Sequence, residues 1–218
     1  RDLAVWVRWA AGAAVVGTVV KQWLAGDFSA VSALGMLMAF WIFASVATDL
    51  WERVRPAGGM RTSIVRRLAL VPRAMTGMML AHVGVGVFVF GVTMVKTYEA
   101  ERDVKMEVGD TTEIAGYVFT FQGARQVQGP NYQAMQGLVT VTKDGRPVAE
   151  LRPDKRVYRV QSNPMTEAAI ATGLTRDLYV SMGNPIGNQG GWVVRVYYKP
   201  FVSWIWGGCV LMALGGAL

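Results

Sequence analysis

Long apolar runs alternate with polar segments along the chain and predict helices that cross a membrane. The hydrocarbon core of a bilayer requires about 20 helical residues. Two runs reach that length: 28–48 contains no charged residue, and 74–95 is interrupted only by His82. A third run, 201–218, has 18 uncharged residues and continues to the last residue of the chain. We expect a membrane helix in each run.

The run 3–24 is weaker because Arg8 and Lys21 leave only twelve uncharged residues between them. Both charges lie near the ends of the run, where long cationic side chains reach the headgroup layer. We therefore interpret 1–27 as a further membrane helix with a tight outer turn.

The segment 97–199 changes to the period of β structure. Runs rich in β-branched and aromatic residues predict short strands at 117–121, 138–142, 147–151, 157–160, 178–180 and 192–198. Asp144-Gly145 predicts a hairpin turn. The stretch Thr166–Thr172, followed by Gly173 as a C-terminal cap, predicts one short helix. The segment is expected to form a small, mostly antiparallel β sandwich or barrel.

The pattern as a whole predicts a polytopic α-helical membrane protein with about four transmembrane helices and an inserted small, mostly antiparallel β domain. The expected segments are a first membrane helix with its turn (1–27), a second helix (28–48), a basic loop (49–73), a third helix with His82 (74–96), the β domain (97–199) and a fourth helix cut short (200–218). The missing initiator Met and the apolar last residues are expected of a piece cut at both ends.

The net charge of +7 resides mainly in the loop 49–73, which has six arginines and two acidic residues. A short basic loop between apolar runs is typical of the cytoplasmic side of a membrane. The β domain is therefore expected on the outer side, which in a Gram-negative bacterium would be the periplasm. Residues 98–199 carry twelve basic and eleven acidic residues. A domain so close to neutral is not expected to bind nucleic acid.

Only a few residues are candidates for chemistry, because the chain has one histidine, His82, and one cysteine, Cys209. A disulfide within the chain, a four-cysteine metal site and a His-His metal site are excluded. An ionisable residue inside a membrane span is a functional candidate. His82 could ligate haem iron, relay protons, or only hydrogen-bond a neighbouring helix. Gly86, one turn further on, would leave room for a planar macrocycle, although glycine is also common in membrane helices.

The remaining candidates have structural explanations. Gly77, Gly84 and Gly91 recur every seven residues and, with Ala81, form a small-residue stripe that allows close helix contact. Cys209 is interpreted as a small apolar filler of the last helix. A solvated surface is the expected location of the acidic residues Asp103, Asp110, Glu113, Asp154, Glu167 and Asp177. No catalytic residue is assigned.

Several motifs, in one order, resemble the C-terminal region of the CcmF family, the membrane subunits of bacterial cytochrome c haem lyase. They are Gly77–Val85, Gly91-Val92, Glu99–Val104, Gly129–Tyr132, Pro153–Tyr158, Thr166–Ile170, Asp177–Val180 and Val194–Pro200 before Trp204. The resemblance is dense over 75–204 and looser upstream.

The resemblance implies a function in cytochrome c-type biogenesis. Such proteins hold a haem b between two transmembrane histidines, and His82 matches the second of these axial ligands. They also receive haem from the chaperone CcmE at a tryptophan-rich WWD segment flanked by two more histidines. With a CcmH-type thiol subunit, they attach haem to the CXXCH motif of apocytochrome c. The WWD segment and the other histidines have no counterpart in this chain.

The resulting interpretation is the C-terminal part of a haem lyase subunit (holocytochrome c synthetase) that is expected to be inactive alone. It would supply His82 to the haem iron and a β domain for docking or structural support. The alternative is a non-catalytic membrane assembly scaffold with a periplasmic β docking domain and no haem. A transporter subunit is a further alternative, which the large outer domain disfavours.

Overall fold

The structure, a computed structural model, describes residues 9, 11, 12, 15–17, 29–54, 70–187 and 190–218. The chain divides into two compact units. A helical unit comprises Arg1–Thr97 and Phe201–Leu218, and a β unit comprises Tyr98–Pro200. The first predicted membrane helix lies mostly outside the described residues.

Three helices are described in the helical unit: α1 (Ala30–Val54), α2 (Arg73–Tyr98) and α3 (Val202–Ala217). Helices α1 and α2 are long and apolar enough to cross a membrane, whereas α3 is a shorter apolar helix of 16 residues. Helix α1 continues past the predicted end at residue 48. An i,i+4 ion pair between Asp49 and Arg53, with an N–O distance of 3.0 Å, supports this added turn.

The glycine stripe of α2 packs against α3, as its spacing predicts. A Cβ atom built on Gly77 would lie 2.5 Å from the carbonyl oxygen of Gly215, and one built on Gly84 would lie 2.7 Å from that of Gly208. A Cβ atom built on Gly91 would lie 3.0 Å from the main-chain nitrogen of Ile205. The paired numbers run in opposite directions, so α2 and α3 are antiparallel, and their backbones approach too closely for larger side chains.

The opposite side of α2 packs antiparallel against α1. The Ser32 hydroxyl lies 2.7 Å from the Thr97 hydroxyl, which donates its own hydrogen to the Thr93 carbonyl. Ser32 is therefore the donor of this interhelical hydrogen bond. Gly35 admits the side chain of Thr93, whose hydroxyl bonds to the Val89 carbonyl. These polar side chains are all satisfied within the helix pair, as a lipid environment requires.

Ten antiparallel strands form the two sheets of the β unit. Their bounds are β1 Ala100–Met106, β2 Thr111–Ile114, β3 Tyr117–Gln128, β4 Tyr132–Lys143, β5 Arg146–Leu151, β6 Asp154–Tyr158, β7 Gln161–Glu167, β8 Ala169–Ala171, β9 Arg176–Ile186 and β10 Gly191–Pro200. Sheet A has the order β1-β10-β9-β8. Sheet B has the order β2-β3-β4-β6-β7, with β5 paired to β4.

The two sheets enclose one apolar core, built by the alternation of side chains along each strand. On β3 the buried positions alternate at Tyr117, Phe119 and Phe121. The other sheet contributes residues such as Val180 on β9 and Val194 on β10, both with no exposed surface. The predicted mostly antiparallel β sandwich is therefore confirmed.

Two-residue turns connect strands where the backbone is left-handed. Asp144 and Gly145 have φ angles of 51° and 73° and join β4 to β5, which confirms the predicted hairpin turn. Ala115 and Gly116, with φ angles of 51° and 76°, connect β2 to β3 in the same way. Positive φ at both central positions matches the twist of the flanking strands.

The predicted helix at Thr166–Thr172 is wrong. Thr166 and Glu167 end β7, and Ala169–Ala171 form β8, whereas Gly173 lies in the following loop rather than at a helix C-terminus. In β8 only Ile170 is exposed, while Ala169 and Ala171 pack against the core. This alternation has the period of a strand, and pairing with β9 overrides the local helical propensity of the alanines.

Candidate functional site

His82 lies on α2, the longest described helix of the helical unit, and is exposed. It is nine residues from the first residue of α2, which places it about 13 Å along the helix axis. The Met78 side chain, one turn earlier, is 44% exposed, and Val92 is 37% exposed. These residues form an open face of α2 between the sides that pack on α1 and α3.

The protonation of His82 follows from its hydrogen bond. Its Nδ1 atom lies 2.8 Å from the main-chain carbonyl oxygen of Met78. A carbonyl oxygen can only accept a hydrogen, so Nδ1 carries a proton, and in the neutral form of the ring the lone pair lies on Nε2. A backbone carbonyl bonded to one ring nitrogen is the usual arrangement that orients a metal-ligating histidine.

The expected space beside Gly86 is occupied, so that prediction is wrong. A Cβ atom on Gly86 would lie 2.6 Å from Cε1 of Phe43 on α1. Gly86 therefore accommodates an aromatic ring of the neighbouring helix and leaves no room for a macrocycle on that side. The sequence of α2 alone could not show which side chain of another helix occupies the space beside Gly86.

The residues present fit one axial position of a haem. Haem iron accepts an imidazole nitrogen as an axial ligand, and His82 offers Nε2 from an exposed side of an apolar helix. A second histidine does not occur in the chain. The described residues also contain no group of three His, Cys, Asp or Glu side chains that could hold a metal ion. A bis-histidine site would therefore require a ligand from outside this chain.

Two motifs of the β unit, 129–132 and 153–158, come together on sheet B. Tyr132 pairs with Tyr158 across β4 and β6, and their ring centroids are 5.5 Å apart. The Arg156 guanidinium lies 4.6 Å from the centroid of the Tyr132 ring and bonds to Asp154 at 2.8 and 3.1 Å. The hydrogen bond that Arg156 donates to the Asp154 carboxylate raises the pKa of Arg156 further. The Arg156 side chain is thus held by both the Tyr132 ring and the Asp154 carboxylate, and these contacts stabilise the sheet.

The expectation that the acidic residues are solvated is wrong for Asp154 and Asp177. They are only 7% and 3% exposed. Asp154 accepts hydrogen bonds from Gln136 and Arg156, and Asp177 accepts one from the main-chain nitrogen of Gly173 at 3.0 Å. Buried carboxylates must be paired in this way. Their spacing in the sequence contained no sign of the donors Gln136, on β4, and Gly173, in a loop.

Asp103 lies on the surface, as expected, and forms a bidentate ion pair with Arg195. The guanidinium donates to the two carboxylate oxygens at 2.5 and 2.7 Å. This hydrogen bonding lowers the pKa of Asp103. On the same sheet, burial and the nearby Asp177 raise the pKa of Tyr179. Neither group belongs to a constellation of nucleophile, base and orienting residue.

A groove of about 570 Å³ opens between β3, β4 and the β9–β10 connection. Trp192, Arg125 and Gln136 are among its lining residues, and none of the lining residues within the described part of the chain is acidic. The volume falls within the range of ligand pockets. The lining supplies hydrogen-bond donors and an aromatic surface but no general base.

Comparison with known proteins gives consistent results for both units. A family model, described as the CcmF C-terminal beta-sandwich, matches residues 97–200. Cytochrome c-type biogenesis protein CcmF from Pseudomonas aeruginosa is 44% identical over 193 residues, which are 88% of this chain and 28% of that protein. The protein of the same name from Escherichia coli K12 is 41% identical over 189 residues, which are 87% and 27%.

The fold as a whole also has a solved counterpart. A structure of Cytochrome c Heme Lyase CcmF matches with a TM-score of 0.78 at 19% sequence identity, over 100% of this chain and 34% of that one. The chain thus spans less than a third of the length of the two curated relatives. The motifs, the β sandwich and these matches agree, and the chain belongs to the CcmF family as its C-terminal region.

Proposed function

We propose that this chain is the C-terminal part of a cytochrome c maturation haem lyase subunit. In this function His82 is one axial ligand of a transmembrane haem b, and the second ligand comes from outside the chain. The observation that supports this most strongly is the geometry of His82. Its Nδ1–H is held by the Met78 carbonyl, and its Nε2 is directed away from that bond on the exposed side of α2.

The haem, when bound, supplies redox chemistry at its iron. The residues of this chain position the imidazole ring. Met78 supplies the carbonyl that selects the tautomer, and the packing of Phe43 against Gly86 stabilises the helix that carries His82. A neutral imidazole avoids the cost of a charge inside the bilayer.

Membership of the CcmF family also supports a proposal for the location and the partners of the protein. We propose that the helices lie in the bacterial inner membrane and that the β unit lies in the periplasm. There it would act as a docking or supporting domain for the haem chaperone CcmE, a CcmH-type thiol subunit and apocytochrome c. The near-neutral surface and buried carboxylates of the β unit suit a binding domain better than a catalytic one.

A second candidate is a membrane assembly scaffold without haem. The observation that favours it is the same Nδ1–Met78 bond, because a histidine that only packs would also satisfy one nitrogen within its own helix. The two functions differ in what Nε2 contacts, and this difference can be measured.

The test is the haem b content of the full-length parent protein carrying His82→Ala. If His82 ligates the iron, the purified variant should lose most of its haem b while its amount in the membrane stays the same. Imidazole added to the medium should restore part of the binding. His82→Gln is the matched control, because it keeps a hydrogen-bonding side chain. A packing role predicts that both variants contain as much haem b as the unaltered protein, and a scaffold without haem predicts none in any of the three proteins. Either result would exclude the ligand assignment.

A further inference from the structure

Both connections to the helices leave the β unit from the same end of sheet A. Ala100 pairs with Tyr198 and Arg176 pairs with Pro200, so the first residues of β1 and β9 lie beside the last residues of β10. Glu99 alone separates α2 from β1, and Phe201 alone separates β10 from α3. We call this the helix-proximal end. Each of these two connections is thus a single residue, which spans at most about 3.6 Å.

The loop 172–175 lies at the helix-proximal end, because it immediately precedes Arg176. It presents Leu174 with 77% of its surface exposed. Ile170, on the adjoining strand β8, is 49% exposed. An isolated exposed apolar residue is common on soluble domains. Leu174, however, lies on a loop beside the connections to membrane-capable helices, where the lipid chains of a bilayer would be close.

The conformation of this loop is fixed by polar contacts on both sides of Leu174. The buried carboxylate of Asp177 accepts the main-chain N–H of Gly173 at 3.0 Å. The Arg176 guanidinium donates to the carbonyl oxygen of Ala171 at 3.2 Å and to the Tyr117 hydroxyl at 3.2 Å. The loop is therefore held in one conformation that exposes Leu174, so little further ordering is needed for insertion.

Cations and tyrosines surround the same end. The Lys143 ammonium lies 4.7 Å and the Arg176 guanidinium 5.2 Å from the centroid of the Tyr117 ring. Tyr117 in turn stacks on Tyr198, with centroids 5.9 Å apart. Tyrosines are enriched at the level of lipid headgroups, and lysine and arginine side chains are attracted to anionic lipid phosphates.

We propose that the helix-proximal end of the β unit contacts the bilayer, with Leu174 inserted among the lipid chains just below the headgroups. Lys143 and Arg176 then face the phosphate layer. This proposal rests on the proposed membrane location of the helices, but it does not depend on whether His82 holds haem. It gives the β unit a lipid contact of its own in addition to its two covalent connections.

The test is site-specific fluorescence quenching by lipids in the full chain. With Cys209→Ser as background, bimane is attached at Leu174→Cys or, as the matched control, at Val160→Cys. Val160 is 96% exposed in the turn that follows Tyr158. Tyr158 pairs with Tyr132 at the start of β4, whereas Lys143 ends β4 beside Tyr117, so Val160 lies at the opposite end of the unit. Nanodiscs contain phosphatidylcholine and phosphatidylglycerol, with or without a nitroxide on the upper acyl chain.

Insertion predicts a blue-shifted bimane emission at position 174 and quenching by nitroxide lipid several-fold stronger than at position 160. Equal quenching at the two positions would overturn the proposal. A blue shift at position 174 without nitroxide quenching would also overturn it, because protein rather than lipid would then cover the loop. Far-UV circular dichroism of both labelled chains verifies that the sandwich is intact. Haem content does not enter this measurement, so its outcome is separate from that of the His82 variants.

Discussion

The helical unit and the β unit are stabilised by different kinds of packing, one between backbones at glycines and the other between large side chains. Where α2 meets α3, the contact depends on missing side chains, since Gly84 and Gly208 bring main-chain atoms together. In the sandwich, large side chains such as Phe119 and Phe121 fill the space between the sheets and have no exposed surface. Lipid provides no hydrophobic force between helices, so close backbone packing takes its place. In water, apolar burial is the main driving force.

The two units also differ in how they treat polar groups. The buried carboxylates of the β unit have donors from the same strand, a neighbouring strand or a loop, as Asp154 has from Arg156 on β6 and Gln136 on β4. His82 has one hydrogen-bond partner within its own helix and is exposed on the open face of α2. A satisfied polar group is structural, whereas a polar group exposed on a membrane helix requires a partner. This contrast is the reason for assigning chemistry to His82.

The largest expected effect is the loss of a core aromatic in the β unit. Phe119→Ala should lower the free energy of unfolding of the sandwich by about 3–5 kcal/mol, because it removes a fully buried ring and leaves a cavity. Denaturant unfolding of the chain in detergent, followed by near-UV circular dichroism, measures the change. Val157→Ala, at a residue 40% exposed on β6, is the control and should cost less than half as much. Equal losses would contradict the assigned core.

A smaller effect is expected where the helices pack through glycine. Gly84→Ala adds a Cβ atom 2.7 Å from the carbonyl oxygen of Gly208. Such overpacking costs about 1–3 kcal/mol, and thermal loss of the helical signal in detergent should occur at a lower temperature. Gly207→Ala on α3 is the control, because no atom lies within 4 Å of the added Cβ. If both variants melt alike, the close α2–α3 contact is wrong.

The smallest expected effect is the pH dependence of the Asp103–Arg195 pair. Hydrogen bonding from Arg195 lowers the pKa of Asp103 in the folded state. The carboxylate therefore adds stability above its unfolded pKa of about 3.9, and this stability is lost as the pH falls through the lower folded pKa. Asp103→Asn should reduce the loss of stability between pH 5 and the folded pKa, measured by denaturant unfolding. Because the pair is exposed, added salt should weaken it.

The control for this pair is Glu113→Gln, at an exposed carboxylate on β2. It should leave the acid dependence of the unfolding midpoint close to that of the unaltered chain. An acid dependence that Asp103→Asn does not change would show that the bidentate ion pair contributes nothing measurable to the sandwich.

Sequence patterns predicted the features that depend on neighbouring residues in the chain. The apolar lengths of α1 and α2, the glycine spacing on α2 and the Asp144-Gly145 turn all follow from local periodicity or turn chemistry. Strand β1 was missed because it is an edge strand with the charged residues Glu101, Arg102 and Asp103 on its exposed positions. Charged edges are a common means of preventing further strand pairing, and they hide the apolar signal of a strand.

Features that depend on distant residues could not be predicted. The ring that contacts Gly86 belongs to Phe43, and one donor to the buried carboxylate of Asp154 is Gln136 on β4. For the candidate site, the pattern identified His82 as an ionisable residue in an apolar helix. Its tautomer required the distance from Nδ1 to the Met78 carbonyl, which only the folded helix provides.

The central claim, that Nε2 of His82 ligates haem iron, is tested most directly by the midpoint potential of the haem in a His82→Met variant of the full-length parent. Replacing an axial histidine by methionine raises the potential of a haem. Among molecules of the variant that retain haem b, we expect a higher midpoint potential and an altered visible spectrum in a redox titration. An unchanged potential and spectrum in a stable variant with normal haem content would contradict the claim.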